Sequence, residues 1–342
     1  MAPVRISVLF VKSSVEGKTG FSLFCLLGPF FTLWALFWLV PLGMGVDLSI
    51  QSPDFRPVYR DAVLPEDSPP ASSLSFLDWR NPQEEVREDV PRYVGLENFK
   101  KAIDDSKFHK ALSNTLTYVF GSIIIILPLA FALAVNLHSL ARGTRGVLVF
   151  LLMIPGLALP GVLSTLFYLF FHGRTGALNQ YLVIPLGFDP VNWMMDPAFI
   201  MPSLIMQAVW RWTGLVTLFF LCGLEAIPRW QFEVARVEGA GPWMRMRSIL
   251  FPGVRHLAVF AAVFLVVDGF AAFSGAYNLL GGSGGILDSG LLLVTYVYQV
   301  AFPGGSGRFD FPGAAAMSLL VAPLTALLLF LLLQARKVFF SR

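Results

Sequence analysis

Charge is scarce in this chain. Of its 342 residues only 14% are Asp, Glu, Lys or Arg, against about a quarter in soluble globular domains, too few to cover a water-facing exterior. Cysteine is rarer still. Cys25 and Cys222 stand far apart, each inside an apolar stretch, which excludes a disulfide framework and a cysteine-based metal motif. The four histidines, His109, His138, His172 and His256, are scattered over separate segments, so no metal cluster or catalytic pair is expected from them. Gly17-Lys18-Thr19 has the ending of a phosphate-binding loop, yet the glycine required five positions before Gly17 is replaced by Lys12. No Gly-x-Ser-x-Gly elbow occurs in a strand-to-helix setting. The expectation is a chain with no catalytic residue, no metal and no cofactor of its own.

What is abundant is apolar surface, at 56% of residues. Crossing a bilayer takes about 20 mainly apolar residues per helix, and six runs of that length occur, at 21–46, 111–137, 147–171, 199–224, 257–279 and 313–334. They predict an all-α polytopic membrane protein with six transmembrane helices. Arg5, Lys12 and Lys18 precede the first run as they would in a secretory signal. That run exceeds the 7–15 apolar residues of a signal and has no small-x-small cleavage site, so it reads as a retained span.

Loops rich in Lys and Arg stay on the cytoplasmic side. With the N-terminus inside, the inner segments hold 13 basic residues against four acidic, and the outer segments 11 against 17. Both termini are therefore expected in the cytoplasm. The net charge of +3 lies along membrane edges, which excludes nucleic acid as a partner and leaves lipid.

The chain divides on this reading into a tail and first span (1–46), an extracytoplasmic insertion with interfacial helices (47–110), a five-span core (111–336) and a short tail (337–342). Residues 47–92 are rich in Pro, Ser, Asp and Glu without sustained apolar period, as in a loosely ordered surface insertion. Residues 94–116 show apolar spacings of three and four, as short interfacial helices do. Pro128, Pro155, Pro160 and Gly161 fall inside spans, where breaks are tolerated if neighbouring helices satisfy the freed backbone groups. Between the fifth and sixth spans, two glycine-rich runs at 281–285 and 303–307 flank an apolar stretch at 290–300. It is too short to span and predicts a re-entrant or interfacial helix.

One inner loop, 225–256, is longer than a connection needs. Pro228 can start a helix on which Phe232, Ala235 and Gly239 form a small apolar face, with Glu233 and Arg236 at pairing distance on another. Gly239-Ala240-Gly241 interrupts it, Pro242 suits the first position of a second helix, and Pro252 is expected to end that helix. Small residues at Ala235, Gly239 and Ala240 would let another protein approach the backbone.

The run FEVARVEGAGPWMRMRSILFP at 232–252 resembles the EAA loop of ABC-importer permeases, in which Glu-Ala-Ala, three variable residues and Gly-Ala precede an apolar helix ending in Leu-Pro. Glu233, Ala235, Gly239, Ala240, Ile249 and Pro252 match by position; Val234, Met246 and Phe251 depart from it. VGLENF and ALSNTL within 94–116, Trp210-Arg211-Trp212-Thr213 and the glycine run after Phe273 are similar to the sugar and glycerol-3-phosphate branch. The resemblance covers most of 94–336 but not the insertion.

It implies the type I importer permease fold, a multi-pass protein of a bacterial inner membrane, and a non-catalytic translocation subunit for a sugar, oligosaccharide or polyol phosphate. It implies as partners an ABC ATPase dimer that binds the ATP, a second homologous permease and an extracytoplasmic substrate-binding protein. Glu233, Ala235, Arg236, Gly239, Ala240, Gly241 and Pro252 would form the ATPase-docking surface.

Arg211 and Asp268 are the only charges deep within predicted spans, where each costs about 2.5–3.5 kcal/mol unless it meets a partner or water. They are candidates for the translocation path, paired with each other or with the partner permease, and Asn278 is a third candidate. Asn114, Thr115 and Tyr277 stand near outer span ends, where they could meet sugar hydroxyls or cap helices. A competing class, a secondary transporter using Arg211 and Asp268 for proton coupling, predicts repeated halves and paired broken helices. No convincing internal repeat is present.

Overall fold

The computed structural model of the chain describes residues 27–52, 93–302 and 309–340, with side chains up to Gln334. The basic N-terminal segment, most of the 47–92 insertion and the second glycine run at 303–307 lie outside the described residues. The chain forms two compact units, 1–96 and 97–342.

The described part of the first unit is one helix, α1 (Leu27–Ser49), long and apolar enough to cross a membrane. A π-turn at Ala35–Leu39 precedes Pro41. A widened turn accommodates the proline ring and its missing N–H. Beyond α1, Val94 N donates to Ile50 O at 2.8 Å, and the Tyr93 hydroxyl donates to Asp47 Oδ1 at 3.3 Å. The insertion therefore leaves and returns at one point.

Among the described residues of the second unit the main regular elements are helices: α2 (Glu97–Asp104), α3 (Ser106–His138), α4 (Arg142–Leu157), α5 (Pro160–Phe170), α6 (Pro197–Glu225), α7 (Arg229–Val237), α8 (Pro242–Phe270), α9 (Ser274–Leu279), α10 (Leu293–Ala301) and α11 (Phe311–Phe340). Local chemistry sets the starts of the long rods. Asp105 accepts from Lys107 N at 2.8 Å at the head of α3, and Asp196 accepts from Ala198 N at 2.9 Å at the head of α6, with Pro197 in the first turn.

The central contact is α3 against α6, with α8 closing the other side. Ile126, Ala130 and Ala134 of α3, Val216 and Phe220 of α6, and Ala261 and Leu265 of α8 are buried together. The alanines let the rods approach closely, the usual solution for helices packed in lipid. Between α4 and α6 the approach is closer still: a Cβ on Gly214 would lie 1.7 Å from the Leu152 carbonyl oxygen.

Two expectations need correction. The predicted third span, 147–171, is two helices, α4 and α5, bent by 96°. Pro160 disfavours helical geometry in the residue before it, and Ala158 and Leu159 are extended, with ψ of 141° and 134°. The second loop helix does not end at Pro252 but runs on into the fifth span as α8. A π-turn at Met246–Leu250 lies just before the proline. Such a turn changes the hydrogen-bond register and makes room for Pro252 without breaking the rod.

Of the short helices expected over 94–116, one forms as α2, whereas residues 106–116 are the first turns of the long rod α3; the short apolar helix between the glycine runs is α10. Asn114 Nδ2 donates to the Asp288 and Leu291 carbonyls at 2.8 and 3.1 Å, and Thr115 Oγ1 accepts from Leu293 N at 2.9 Å at the start of α10. These two polar residues thus hold the loop before α10. Within that loop Leu287 and Asp288 have positive φ, 55° and 53°, and Lys107 pairs with Asp288 at 3.2 Å.

Candidate functional site

Two places carry chemistry. The first is the helical hairpin at the junction of α6 and α8. After α6 ends at Glu225, Pro228 takes an extended ψ of 134° and heads α7. Gly239 turns the chain with φ of +71°, a region that glycine enters without a Cβ penalty. Ala240 N then donates to Ala235 O at 2.8 Å, and Arg245 Nε donates to Ala240 O at 2.8 Å, which closes the turn onto the first residues of α8.

The expected docking residues separate into two groups. Ala235 and Ala240 are buried at 7% and 8% exposure, packed within the hairpin. Glu233, Arg236, Gly239, Gly241 and Pro252 are exposed. Glu233 and Arg236 form no ion pair with each other. Around them stand large exposed apolar side chains that the sequence reading did not select: Trp230, Val234, Val237 at 89% exposure, Trp243 and Met244. Charged and apolar groups therefore share one open ridge on a turn of fixed shape.

Two contacts brace this hairpin from behind. Arg145 Nη1, at the start of α4, pairs with Glu225 Oε1 at 2.7 Å. The His138 ring at the end of α3 stacks on Phe232 of α7, with centroids 6.3 Å apart.

The second place is a cavity of about 210 Å³ among α3, α5, α6, α8 and α9. Arg211 and Asp268, 57 positions apart in sequence, both line it, with Tyr118, Gln207, Trp212 and Phe273. The Arg211 guanidinium carbon lies 4.7 Å from the centre of the Trp212 ring. Trp212 and Asp268 line the same cavity. Arg211 Nε is buried without a hydrogen-bond partner, and the two charges are not joined as an ion pair. Gln207 is 5% exposed and reaches Ser164 Oγ at 3.4 Å. Asn278 is elsewhere, exposed on α9 near Gly161.

A wider, open recess of about 820 Å³ is walled by Tyr168, His172, Arg174, Asn192 and Ser283. One apolar cluster joins the two walls: Leu163, Leu204, Ala276 and Leu292 border the cavity, and Leu279 borders the recess.

The Gln207 signal was available in the sequence. It stands four residues before Arg211, one turn along the same helical face. Tyr118 gave none, because a tyrosine in an apolar run is ordinary.

The chain is similar to the arabinooligosaccharides transport system permease protein AraP of Bacillus subtilis, 33% identical over 60% of this chain and 66% of that one. It is also similar to the probable ABC transporter permease protein YesP of the same organism, 32% identical over 70% of this chain and 77% of that one. The lactose transport system permease protein LacF of Rhizobium radiobacter is 27% identical over 72% and 82%. Among solved structures, a bacterial ABC transporter importing the acidic polysaccharide alginate shares the fold, with a TM-score of 0.71, 17% identity and coverage of 96% of this chain and 99% of that one. The family model described as a binding-protein-dependent transport system inner membrane component matches residues 110–338, and with two thirds of its length so matched the chain belongs to that family.

Proposed function

We propose that this permease is the saccharide-translocating subunit of an ATP-driven importer and that the α7–α8 hairpin is where the ATPase seats. The observation that carries this reading is the hairpin's form: a glycine-centred turn, closed by its own hydrogen bonds, that presents Glu233, Arg236, Val237 and Trp243 outward. Such a ridge fits a cleft, and its rigidity lets a push on it reach the membrane helices. ATP is bound and hydrolysed by the partner. A saccharide cargo is supported by relatives named for arabinooligosaccharides, lactose and trehalose/maltose.

In this reading the hairpin and both termini face the cytoplasm, and a solute-binding protein delivers the cargo at the opposite end, where the open recess lies. A second permease subunit completes the pathway. Arg211 and Asp268 border the route through the membrane, and Asn278 stands beside it on α9.

Deleting residues 236–242 removes the turn that shapes the ridge, with Arg236 and Val237, while leaving α6 and the membrane part of α8 in place. The expected outcome is loss of ATPase co-purification with the chain still inserted in the membrane. Retained co-purification with the deletion variant would refute the docking assignment.

A further inference from the structure

A saccharide importer can carry neutral, uronic acid or phosphorylated units, and the charge balance of the inner cavity discriminates among them. Its lining holds one guanidinium and one carboxylate and no other charged side chain. The two face the same space without touching as an ion pair, and Arg211 Nε is buried with no partner. Buried polar groups are expected to find hydrogen-bond partners, so a molecule in this space can satisfy Arg211 Nε while meeting the Asp268 carboxylate that lines the same cavity.

An anion meets two opposing fields there. It gains from Arg211 and is repelled by Asp268, and between protein walls neither field is screened as fully as in bulk solvent. A phosphate, with close to two charges, doubles both effects without removing the conflict. A polyhydroxylated neutral ring has no such conflict. Adjacent hydroxyls donate to the two oxygens of a carboxylate, and a guanidinium donates to ring or hydroxyl oxygens. Gln207 offers a further amide, and the Trp212, Tyr118 and Phe273 rings provide flat apolar faces for the C–H side of a pyranose or furanose.

Resting on the reading of this chain as a saccharide permease, we propose that the Arg211–Asp268 cavity selects an uncharged saccharide unit, with Asp268 accepting from adjacent hydroxyls and Arg211 donating to its oxygens. The cavity volume of about 210 Å³ lies below the usual 300–1,000 Å³ of ligand pockets. It therefore grips one unit of a longer cargo at a time.

The test uses the complete importer, both permeases with ATPase and binding protein, in vesicles. Radiolabelled arabinotriose and maltotriose are compared with trigalacturonate and glycerol 3-phosphate. The wild type is expected to accumulate a neutral trisaccharide with ATP and neither charged compound. Asp268→Asn, which leaves the cavity net positive, is expected to lower neutral uptake at least tenfold and raise the ratio of charged to neutral uptake. Arg211→Gln is expected to lower neutral uptake without raising that ratio. A merely structural role would not shift the ratio.

Wild-type uptake of only the uronate or the phosphate overturns the proposal and leaves the permease reading standing. So does unchanged neutral uptake in an Asp268→Asn complex that still co-purifies with its ATPase. Should Asp268→Asn fail to assemble, Gln207→Leu and Asp268→Glu decide: reduced neutral uptake in both supports the proposal and wild-type uptake in both overturns it. If the wild-type chain retains no ATPase and no compound accumulates, the permease reading itself falls, and this proposal with it.

Discussion

Replacing Gly214 by alanine adds one methyl group where α4 and α6 are closest. The new Cβ would lie 1.7 Å from the Leu152 carbonyl oxygen and 2.5 Å from its carbon, whereas real Cβ contacts essentially never fall under 3.0 Å. The obstruction is backbone, so no side-chain rotation relieves it. The rods must part by at least about 1.3 Å along that line. Overpacking of this kind costs about 1–3 kcal/mol, and an immovable obstacle puts Gly214→Ala at the upper end. At about 2–4 °C per kcal/mol for domains of 150–250 residues, a cost near the upper end predicts a fall in Tm of about 6–12 °C.

The control lies on the facing helix. Gly146 of α4 has nothing within 4 Å of its would-be Cβ, so Gly146→Ala should hold or slightly raise Tm, because alanine favours the helix by about 0.5–1 kcal/mol over glycine. The eight tryptophans provide an intrinsic fluorescence signal for both variants in detergent. Equal Tm values for Gly214→Ala and Gly146→Ala would refute the account of α4–α6 packing. Gly156 of the same helix faces the Arg211 carbonyl at 3.4 Å, so parting these rods also displaces the segment that bears Arg211, and transport should fall with stability.

Thr115→Val removes the acceptor of the buried Leu293 N–H at the head of α10 and leaves a donor unsatisfied, at a cost of about 1–3 kcal/mol. Amide exchange at Leu293 should accelerate in Thr115→Val and stay slow in Thr115→Ser; unchanged exchange in the valine variant would contradict the capping role. The Arg145–Glu225 pair, at 2.7 Å with side-chain exposures of 17% and 47%, should give a coupling of about 0.2–1 kcal/mol in a double-mutant cycle of Arg145→Gln and Glu225→Gln, weakened by salt. Strictly additive Tm changes would mean that this contact does not brace the hairpin.

The spans were legible because apolar run length has few alternative explanations. The five rods that pass the same test in three dimensions, with the bent pair α4 and α5 as a sixth, follow the predicted runs. The bend at Ala158–Leu159 was half visible: Pro155, Pro160 and Gly161 marked a weak point, but a proline can kink a helix slightly or break it, and neighbours decide which. Continuity through Pro252 was hidden, since a π-turn leaves no trace in apolar spacing and the proline alone argues for an end. The inner faces of Ala235 and Ala240 illustrate a further limit. Small residues at a turn serve close approach, and sequence does not say whether the approaching surface is another protein or the chain's own next helix. The shared cavity of Arg211 and Asp268 depends on how α6 and α8 are rotated in the bundle, which no local pattern encodes.

That rotation joins the two candidate sites. Arg211 and Glu225 are on the same uninterrupted helix, 14 residues or about 21 Å apart at 1.5 Å per residue. Trp243 and Asp268 are likewise on one rod, α8, separated by 25 residues or about 38 Å. The two helices that enter and leave the α7–α8 hairpin are thus the two that carry the cavity's opposite charges. In the proposed importer these rods would let a force that tilts the hairpin change the separation of Arg211 and Asp268 without any intervening chain of side chains. The one locally distinct stretch on either route is the π-turn at Met246–Leu250 with Pro252 behind it, where the i→i+5 bonding is most readily rearranged. In the proposed importer this places the give close to the ATPase and leaves the membrane portion of α8 stiff. Closure of the ATPase would then reset the distance between a carboxylate and a guanidinium, and with it the grip on a saccharide unit held between them.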